Sequence, residues 1–370
     1  MTITTINGDP MLDFITEKTD CWDYLKSTDL PVFIYGMGDG ALKIMRVFER
    51  YGIPLAGFFA SDEFVRGHTF QGHLVHTLSQ IEALIDDFVI VLAFAAGYQS
   101  LYDRINEIAK RHILLAPDVP VAADAAFAGE GLFTYAYCLE NSEKIQAVYD
   151  MLADEKSRQT YADVLNFKIS GKIKYLNNCT SPKEELYDEI IPLGKDEVFA
   201  DLGAYNGDTA AEFIEACGGS FRHIYAFEPN PKNFRKLKKN LPEDERITLF
   251  NAAAGRENGI VKISAGEGRM SRAGGSGKTV EIPILSVDNA VAEDVTVLKL
   301  DVEGAEREAL EGARRHIENG AKILCSLYHR NEDMFDLPLL IKSIAPELKF
   351  YVRHQLYIPA WETNLYAIRG

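Results

Sequence analysis

Four residues with side chains suited to acid–base chemistry each follow a short apolar run that is typical of a buried strand. Asp201, Glu228 and Asp301 are carboxylates, and His329 comes last in the chain. In an open α/β sheet the carboxyl ends of parallel strands meet at one edge, where ligands bind. We predict that His329 removes a proton from a substrate hydroxyl and that Asp301 orients it or holds the substrate. The two could instead bind a divalent cation that acidifies the hydroxyl, although our predicted site contains no metal.

The stretch VFADLGAYNGDT at residues 198–209 is typical of a ligand-binding turn between a strand and a helix. Its glycines remove side chains where a ligand must approach the backbone. The start of the following helix offers free N–H groups and partial positive charge, which suit a ligand carboxylate, and Asp201 could hold an ammonium group directly or through water. A purely structural turn is the alternative. The predicted contacts in this stretch are Asp201, Gly203, Ala204, Asn206, Gly207 and Thr209.

The next strand ends in FEPN at residues 227–230, which places an acid at its tip. An acid at the tip of the second strand accepts hydrogen bonds from ribose hydroxyls in nucleotide-binding folds. A GxGxxG turn before it would favour NAD, whereas DLGAYNG has another glycine spacing and favours S-adenosyl-L-methionine. The segment that follows the third strand would meet the adenine ring. The further cofactor contacts predicted here are Glu228, Pro229, Asn230, Asn251, Ala252 and Asp301.

The elements that position these residues alternate between strand and helix, which predicts parallel sheets covered by helices. We expect an α/β protein in which residues 1–118 form a small Rossmann-like domain and residues 119–195 a helical connector. Residues 196–370 would form a doubly wound, mixed sheet of the class I methyltransferase type. Between two hairpin strands, the polar loop at residues 266–277 would close over the acceptor or remain a surface loop.

The N-terminal domain has its own glycine turn, GMGDGA at residues 36–41, directly after a predicted strand. The pattern fits GxGxx(G/A), the first turn of a nucleotide-binding unit, and Asp62 falls near the place of a ribose-binding acid. One interpretation is a nucleotide or sugar-nucleotide site that helps to present the acceptor. The other is a fold used for packing or for forming a homodimer.

Composition narrows the classes of partner. The formal net charge is −16, which argues against nucleic acid, because affinity for phosphates comes from clustered Lys and Arg. The five cysteines form no CxxC pair, and no apolar run approaches the roughly 20 residues needed to span a bilayer. The N-terminus lacks the features of a signal peptide. We therefore expect a cytoplasmic protein without membrane insertion.

Together, several motifs resemble the FkbM family of methyltransferases. They are DLGAYNGDT (201–209), FEPN (227–230), NAAAG (251–255), Ser286-Val-Asp288, LKLDVEGAE (298–306), YHR (328–330) and ETNLYA (362–367). The resemblance covers about residues 195–370, and Tyr205 departs from the commoner DVGANxG pattern. It implies transfer of a methyl group to a hydroxyl of a sugar, glycan or natural product. N- or C-methylation of a small metabolite, or a non-catalytic cofactor-binding regulatory protein, are the alternatives.

Overall fold

The computed structural model describes residues 11–119, 131–264 and 279–370, and the predicted loop at 266–277 lies outside these ranges. The chain forms two compact units. The first runs to Asp150 and adds Glu155–Ser181 and Arg353–Thr363, and the second comprises Met151–Asp154, Pro182–Val352 and Asn364–Gly370. Within the described ranges, no helix is long and apolar enough to cross a membrane.

The first unit contains a six-stranded sheet in the order β3-β4-β2-β1-β5-β6. All of its pairs are parallel except β3–β4. The apolar runs VFIY and VIVL form its fully buried central strands, because helices cover both faces of such a sheet. The strands are β1 (Val32–Tyr35), β2 (Gly57–Phe59), β3 (Thr69–Phe70), β4 (His73–His76), β5 (Val89–Leu92) and β6 (Ile113–Leu115). The helices are α1 (Cys21–Ser27), α2 (Asp39–Tyr51), α3 (Leu78–Glu82) and α4 (Gln99–Ala109).

The described part of the predicted connector, from residue 131, contains four α-helices. Contacts group the chain up to Ser181 with the first unit, as well as Arg353–Thr363. One reason is Asn166, whose side chain accepts hydrogen bonds from the backbone N–H groups of Thr16 and Glu17. The helices here are α5 (Tyr135–Glu140), α6 (Ser142–Met151), α7 (Glu155–Ser170) and α8 (Lys174–Cys179).

The second unit is built on a seven-stranded sheet in the order β15-β16-β14-β13-β7-β8-β9. Five strands are parallel to one another, namely β7 (Val198–Leu202), β8 (His223–Phe227), β9 (Ile247–Phe250), β13 (Val297–Leu300) and β14 (Lys322–Ser326). Of the last two strands, β15 (Leu348–His354) and β16 (Thr363–Arg369), the latter pairs antiparallel with β14. The predicted mixed α/β architecture with a Rossmann-like N-terminal region is confirmed.

In the described part of the second unit there are also a smaller sheet, six α-helices and a π-helical turn at Leu186–Ile190. The small sheet has the order β10-β12-β11 and contains β10 (Ala253–Ala254), β11 (Gly259–Ser264) and β12 (Thr279–Leu285). The helices are α9 (Asp208–Ala216), α10 (Pro231–Asn240), α11 (Val287–Ala290), α12 (Glu306–Glu311), α13 (Arg314–Glu318) and α14 (Asp333–Ile344). In the large sheet, chain order reverses between β7 and β13, and ligands bind at such a point, beside the carboxyl ends of the strands.

Candidate active site

The backbone of the turn after β7 lies very close to the backbone that follows β13. Gly203 has φ +88°, and a Cβ there would overlap the carbonyl oxygen of Asp301. Gly207, at φ +89°, precedes α9, and a Cβ would come within 3.0 Å of the side chains of Leu237 and Leu241. Both positions therefore require glycine. Gly207 is the N-cap of α9 and has no side chain to accept from the first turn, but Asn206 and Asp208 accept from the N–H groups of Asp208 and Thr209.

Glu228 ties this turn to the end of β8. Its carboxylate accepts hydrogen bonds from the backbone N–H of Tyr205 (2.9 Å) and of Asn230 (2.7 Å). Burial raises the pKa of Glu228 to about 7, although these hydrogen bonds oppose the shift. A carboxylate has about four acceptor sites, so Glu228 retains capacity for the hydroxyl groups of a ligand.

The side chains of Asn251 and Asn230 make different hydrogen bonds near the carboxyl ends of the strands. The amide of Asn251 donates to the carbonyl oxygens of Glu228 (2.8 Å) and Pro229 (3.1 Å). Its own oxygen is then the group that it can present to an amine. Asn230 instead uses its side-chain oxygen to cap α10, accepting from the backbone N–H of Lys232 at 2.8 Å. Its backbone N–H supports Glu228, and its predicted contact with the cofactor stays a prediction.

The other predicted contacts shape the turn. Ala204 is buried and donates its N–H to Phe227, at the end of β8. Asn206 accepts from the N–H of Asp208 at 3.3 Å, and Thr209 donates its N–H to the Asp208 side chain at 2.9 Å. Ala252 is buried after β9. These residues surround the strand edge, and their contact with a cofactor stays a prediction.

Asp201, near the end of β7, forms an ion pair within the protein. It is fully buried, and its Oδ1 lies 3.1 Å from Nζ of Lys299 in the adjacent strand. Lys299 also lies 3.9 Å from Asp301 and donates to the carbonyl oxygen of Gly203 at 2.9 Å. Burial opposes its charge, but Asp201 and Asp301 outweigh burial and raise the pKa of Lys299. The charge partner of Asp201 in the structure is Lys299, and its predicted contact with a ligand ammonium, directly or through water, stays a prediction.

His329 lies between carboxylates. Its Nδ1 is 2.9 Å from Glu306 Oε1, and its Nε2 is 3.3 Å from Asp301 Oδ1 and 3.7 Å from Glu303 Oε2. His329 and Glu306 are buried, whereas the Asp301 side chain is 34% exposed. The backbone N–H of Val302 fixes Glu306 at 2.8 Å. The order from the surface inward is therefore Asp301, His329, Glu306.

The surroundings of His329 favour its charged form. Burial lowers its basicity, but the hydrogen bond and charge of Glu306, with the charges of Asp301 and Glu303, overcome this and raise the pKa of His329 to about 9. At neutral pH the ring is therefore mostly protonated. A role as proton acceptor is possible only for the neutral fraction, which grows as pH rises.

Two residues of this site were not among the predicted ones. Glu306, the last acid of the LKLDVEGAE motif, contacts His329. A sequence signal for Lys299 exists, because it is a single lysine within the apolar strand β13. For Glu306 the sequence gives only its place among three acids in DVEGAE, since its partner lies after another strand.

Among the described residues, one group of side chains could hold a metal ion, namely Asp301, Glu306 and His329, whose ligand atoms lie within 4.8 Å of one another. Both nitrogens of His329 already face carboxylates, and Glu306 also accepts from Val302. We therefore expect methyl-transfer turnover to be unchanged after exhaustive treatment with EDTA. A loss that Mg²⁺ or Zn²⁺ restores would contradict the metal-free site.

Comparisons with known proteins agree with this architecture. Residues 201–352 match the family described as Methyltransferase FkbM domain. Among solved structures, the chain is similar to a methyltransferase FkbM from Methylobacillus flagellatus KT, with TM-score 0.69 and 23% identity over 91% of this chain and 90% of that one. At this identity the likeness shows the fold.

Less similar structures include a putative methyltransferase from Streptococcus mutans (TM-score 0.33, 13% identity, 52% of this chain and 99% of that one). Another is fibrillarin from Aeropyrum pernix (TM-score 0.33, 16% identity, 50% of this chain and 72% of that one). Comparison with curated proteins gives no match.

Proposed function

We propose, from the premise that residues 201–352 form a methyltransferase FkbM domain, that this chain methylates a hydroxyl group with S-adenosyl-L-methionine as donor. The acceptor would be a sugar, a glycan or a natural product. The observation that carries the proposal is the line of Asp301, His329 and Glu306 at the same strand edge as the glycine turn and Glu228. The first part of this edge, the glycine turn with Glu228, suits a nucleoside cofactor. The second part, the line of three side chains, suits removal of a proton.

The residues of the first part fit the cofactor. Glu228 presents a buried carboxylate with acceptor capacity left for ribose hydroxyls, and Asn251 presents an amide oxygen where an adenine amine is expected. Gly203 keeps the turn close to β13, and α9 begins at this turn, where the partial positive charge of its N-terminus favours a ligand carboxylate. When bound, S-adenosyl-L-methionine supplies an electrophilic methyl group and its own leaving group.

The residues of the second part would handle the acceptor proton. Asp301, the most exposed of the three, can accept a hydrogen bond from a neighbouring hydroxyl of the acceptor and so hold the reacting oxygen in line for displacement. The proton would then pass from the hydroxyl oxygen to Nε2 of neutral His329. Glu306 holds Nδ1 on the opposite side of the ring, which fixes the ring orientation and stabilises the resulting imidazolium.

Glu228 predicts how cofactor affinity depends on pH. Ribose hydroxyls donate to the ionised carboxylate, and the pKa of Glu228 in the ligand-free protein is raised to about 7. Below that value a proton competes with the ligand, so S-adenosylhomocysteine should bind about tenfold more weakly at pH 6 than at pH 8. Calorimetry across this range measures the effect, and Glu228→Gln should remove it. An affinity that is independent of pH would contradict ribose binding by ionised Glu228.

The acceptor is found by incubating the full chain with S-adenosyl-L-methionine that carries a labelled methyl group. Panels of monosaccharides, sugar nucleotides, oligosaccharides and polyhydroxylated natural products serve as acceptors. Mass spectrometry should find the label on an oxygen of one acceptor. A label on nitrogen or carbon would overturn O-methylation, and binding of cofactor without transfer to any hydroxyl class would favour the non-catalytic alternative.

A further inference from the structure

The first unit contains a cavity of about 440 Å³ that the proposed methyl transfer does not use. Its walls come from the segments after β1, β2 and β5 and from α4. In that sheet β1 lies between β2 and β5, so chain order reverses there, and the cavity occupies the place where open α/β sheets bind ligands. Its volume is near the lower end of small-molecule sites, roughly 300–1,000 Å³, which favours one nucleotide unit over two.

The turn GMGDGA lines one wall, and each glycine has a separate role. Gly36 has φ +118°, and a Cβ there would come within 2.7 Å of the Phe94 ring. A Cβ at Gly40 would overlap the carbonyl oxygen of Ala93, so this glycine lets α2 pack closely against the end of β5. At Gly38, by contrast, no described atom lies within 4 Å of a Cβ. The fold does not require a glycine at that position, whereas close approach of a ligand to the backbone does.

A guanidinium group stands on the opposite wall. Arg104 of α4 pairs with Glu63 at 3.1 Å, and its hydrogen bonds with Glu63 and Tyr35 raise its pKa. Tyr35 is itself held by Ser61, with 2.7 Å between the hydroxyl oxygens. The guanidinium has five donors, so several remain for an anionic ligand. Glu63, rather than the predicted Asp62, is the acid that lines the cavity after β2, where ribose hydroxyls are bound in such folds.

The remaining wall is aromatic. Among the described residues, the large hydrophobic side chains that are exposed include two aromatic ones, Phe64 (60%) and Tyr98 (61%), and both line this cavity. Exposed rings beside a polar cavity are suited to contact a flat ring of a ligand. A nucleoside diphosphate would use each of these groups: the glycine backbone and the guanidinium for the phosphates, the acid for the ribose and an aromatic ring for the base.

We propose that the cavity binds a nucleoside diphosphate, free or as part of a sugar nucleotide. The diphosphate contacts the Gly36–Gly38 turn and Arg104, the ribose hydroxyls donate to Glu63, and the base contacts Phe64 or Tyr98. This site belongs to the first unit and does not depend on the proposed methyl transfer.

Calorimetry on the full chain saturated with S-adenosylhomocysteine tests the proposal. ADP, GDP, UDP, CDP and dTDP are each titrated, with the matching nucleoside, inorganic diphosphate and NAD as comparisons, and a sugar nucleotide of the preferred base follows. At least one nucleoside diphosphate should bind with micromolar affinity, and at least tenfold more tightly than its nucleoside, because charge-assisted hydrogen bonds are lost from the latter. A sugar nucleotide that binds more tightly still would identify the source of the ligand.

Two variants locate the site. Gly38→Leu adds a side chain to the cavity lining at a position where a Cβ meets no described atom within 4 Å, and Arg104→Gln removes the positive charge, so each should weaken binding at least tenfold. Gly259→Leu and Arg111→Gln are the matched controls, because Gly259 is equally open and Arg111 is an exposed arginine outside the cavity. Absence of binding by every diphosphate, unchanged binding in Gly38→Leu, equal binding of inorganic diphosphate, or tighter binding of NAD would each overturn the proposal.

Discussion

Replacing His329 with asparagine should lower methyl-transfer turnover by about 10²- to 10⁴-fold, the usual contribution of a general base. The asparagine amide can still donate toward Glu306, which keeps the buried carboxylate partnered, but it offers no basic nitrogen in place of Nε2. Because the ring lies on the acceptor side of the site, the affinity for S-adenosylhomocysteine should stay within about twofold. Initial rates at saturating cofactor, together with calorimetry, measure both quantities.

The pH profile separates a proton acceptor from a residue that only supports the fold. The pKa of His329 is raised to about 9, and the neutral ring is the active form. Turnover of the wild type should therefore rise about tenfold per pH unit below 8 and level off near 9. His316→Asn is the matched control, since this buried histidine accepts a hydrogen bond from Val295 in the same unit and should leave the profile intact. A rate that is flat or falls from pH 7 to 9 would assign the proton to another group.

Lys299→Met should lower the free energy of unfolding by about 3 kcal/mol at pH 7, because it leaves the fully buried Asp201 without its charge partner. Lys299 is only 12% exposed, so water cannot replace its ammonium group. The deficit should shrink as pH falls, since protonated Asp201 no longer needs a positive charge. Urea denaturation of the wild type and the variant at pH 7 and pH 5 measures the change.

Two further variants test whether the lost stability of Lys299→Met comes from breaking the ion pair between Asp201 and Lys299. Asp201→Asn combined with Lys299→Met removes both charges and should recover part of the lost stability. Lys262→Met removes a lysine whose ion pair with Glu281 is exposed and should cost no more than about 1 kcal/mol. If the double variant is less stable than Lys299→Met alone, the ion pair does not account for the effect.

The fold could be predicted where strands are buried on both faces. Val89–Leu92 and Val198–Leu202 are continuous apolar runs, and parallel strands between helix layers have this composition. The hairpin of Thr69–Phe70 and His73–His76 was not predicted, because it is short, partly exposed and polar. The grouping of residues up to Ser181 with the first unit could not be predicted, since it depends on contacts between residues that are distant in the chain, such as Asn166 with Thr16.

The candidate site, like the fold, could be predicted from the sequence only in part. Residues at strand tips could be located because the carboxyl ends of parallel strands share one edge, and this brings Asp301 and His329 together. The partner of a buried charge could not be found, because it is set by strand register. Lys299 lies opposite Asp201 only because β13 pairs with β7 in one register. A one-residue shift would have turned the lysine to the other face of the sheet.

The most direct test of the central claim is calorimetric titration of the full chain with S-adenosylhomocysteine, in the wild type and in Glu228→Ala. Glu197→Gln is the matched control, because Glu197 is also buried but precedes β7 at the opposite edge of the sheet, where it pairs with Lys322. The account predicts micromolar binding to the wild type and to Glu197→Gln and a loss of at least tenfold in folded Glu228→Ala. Equal affinity in all three proteins, or no binding to the wild type, would contradict it.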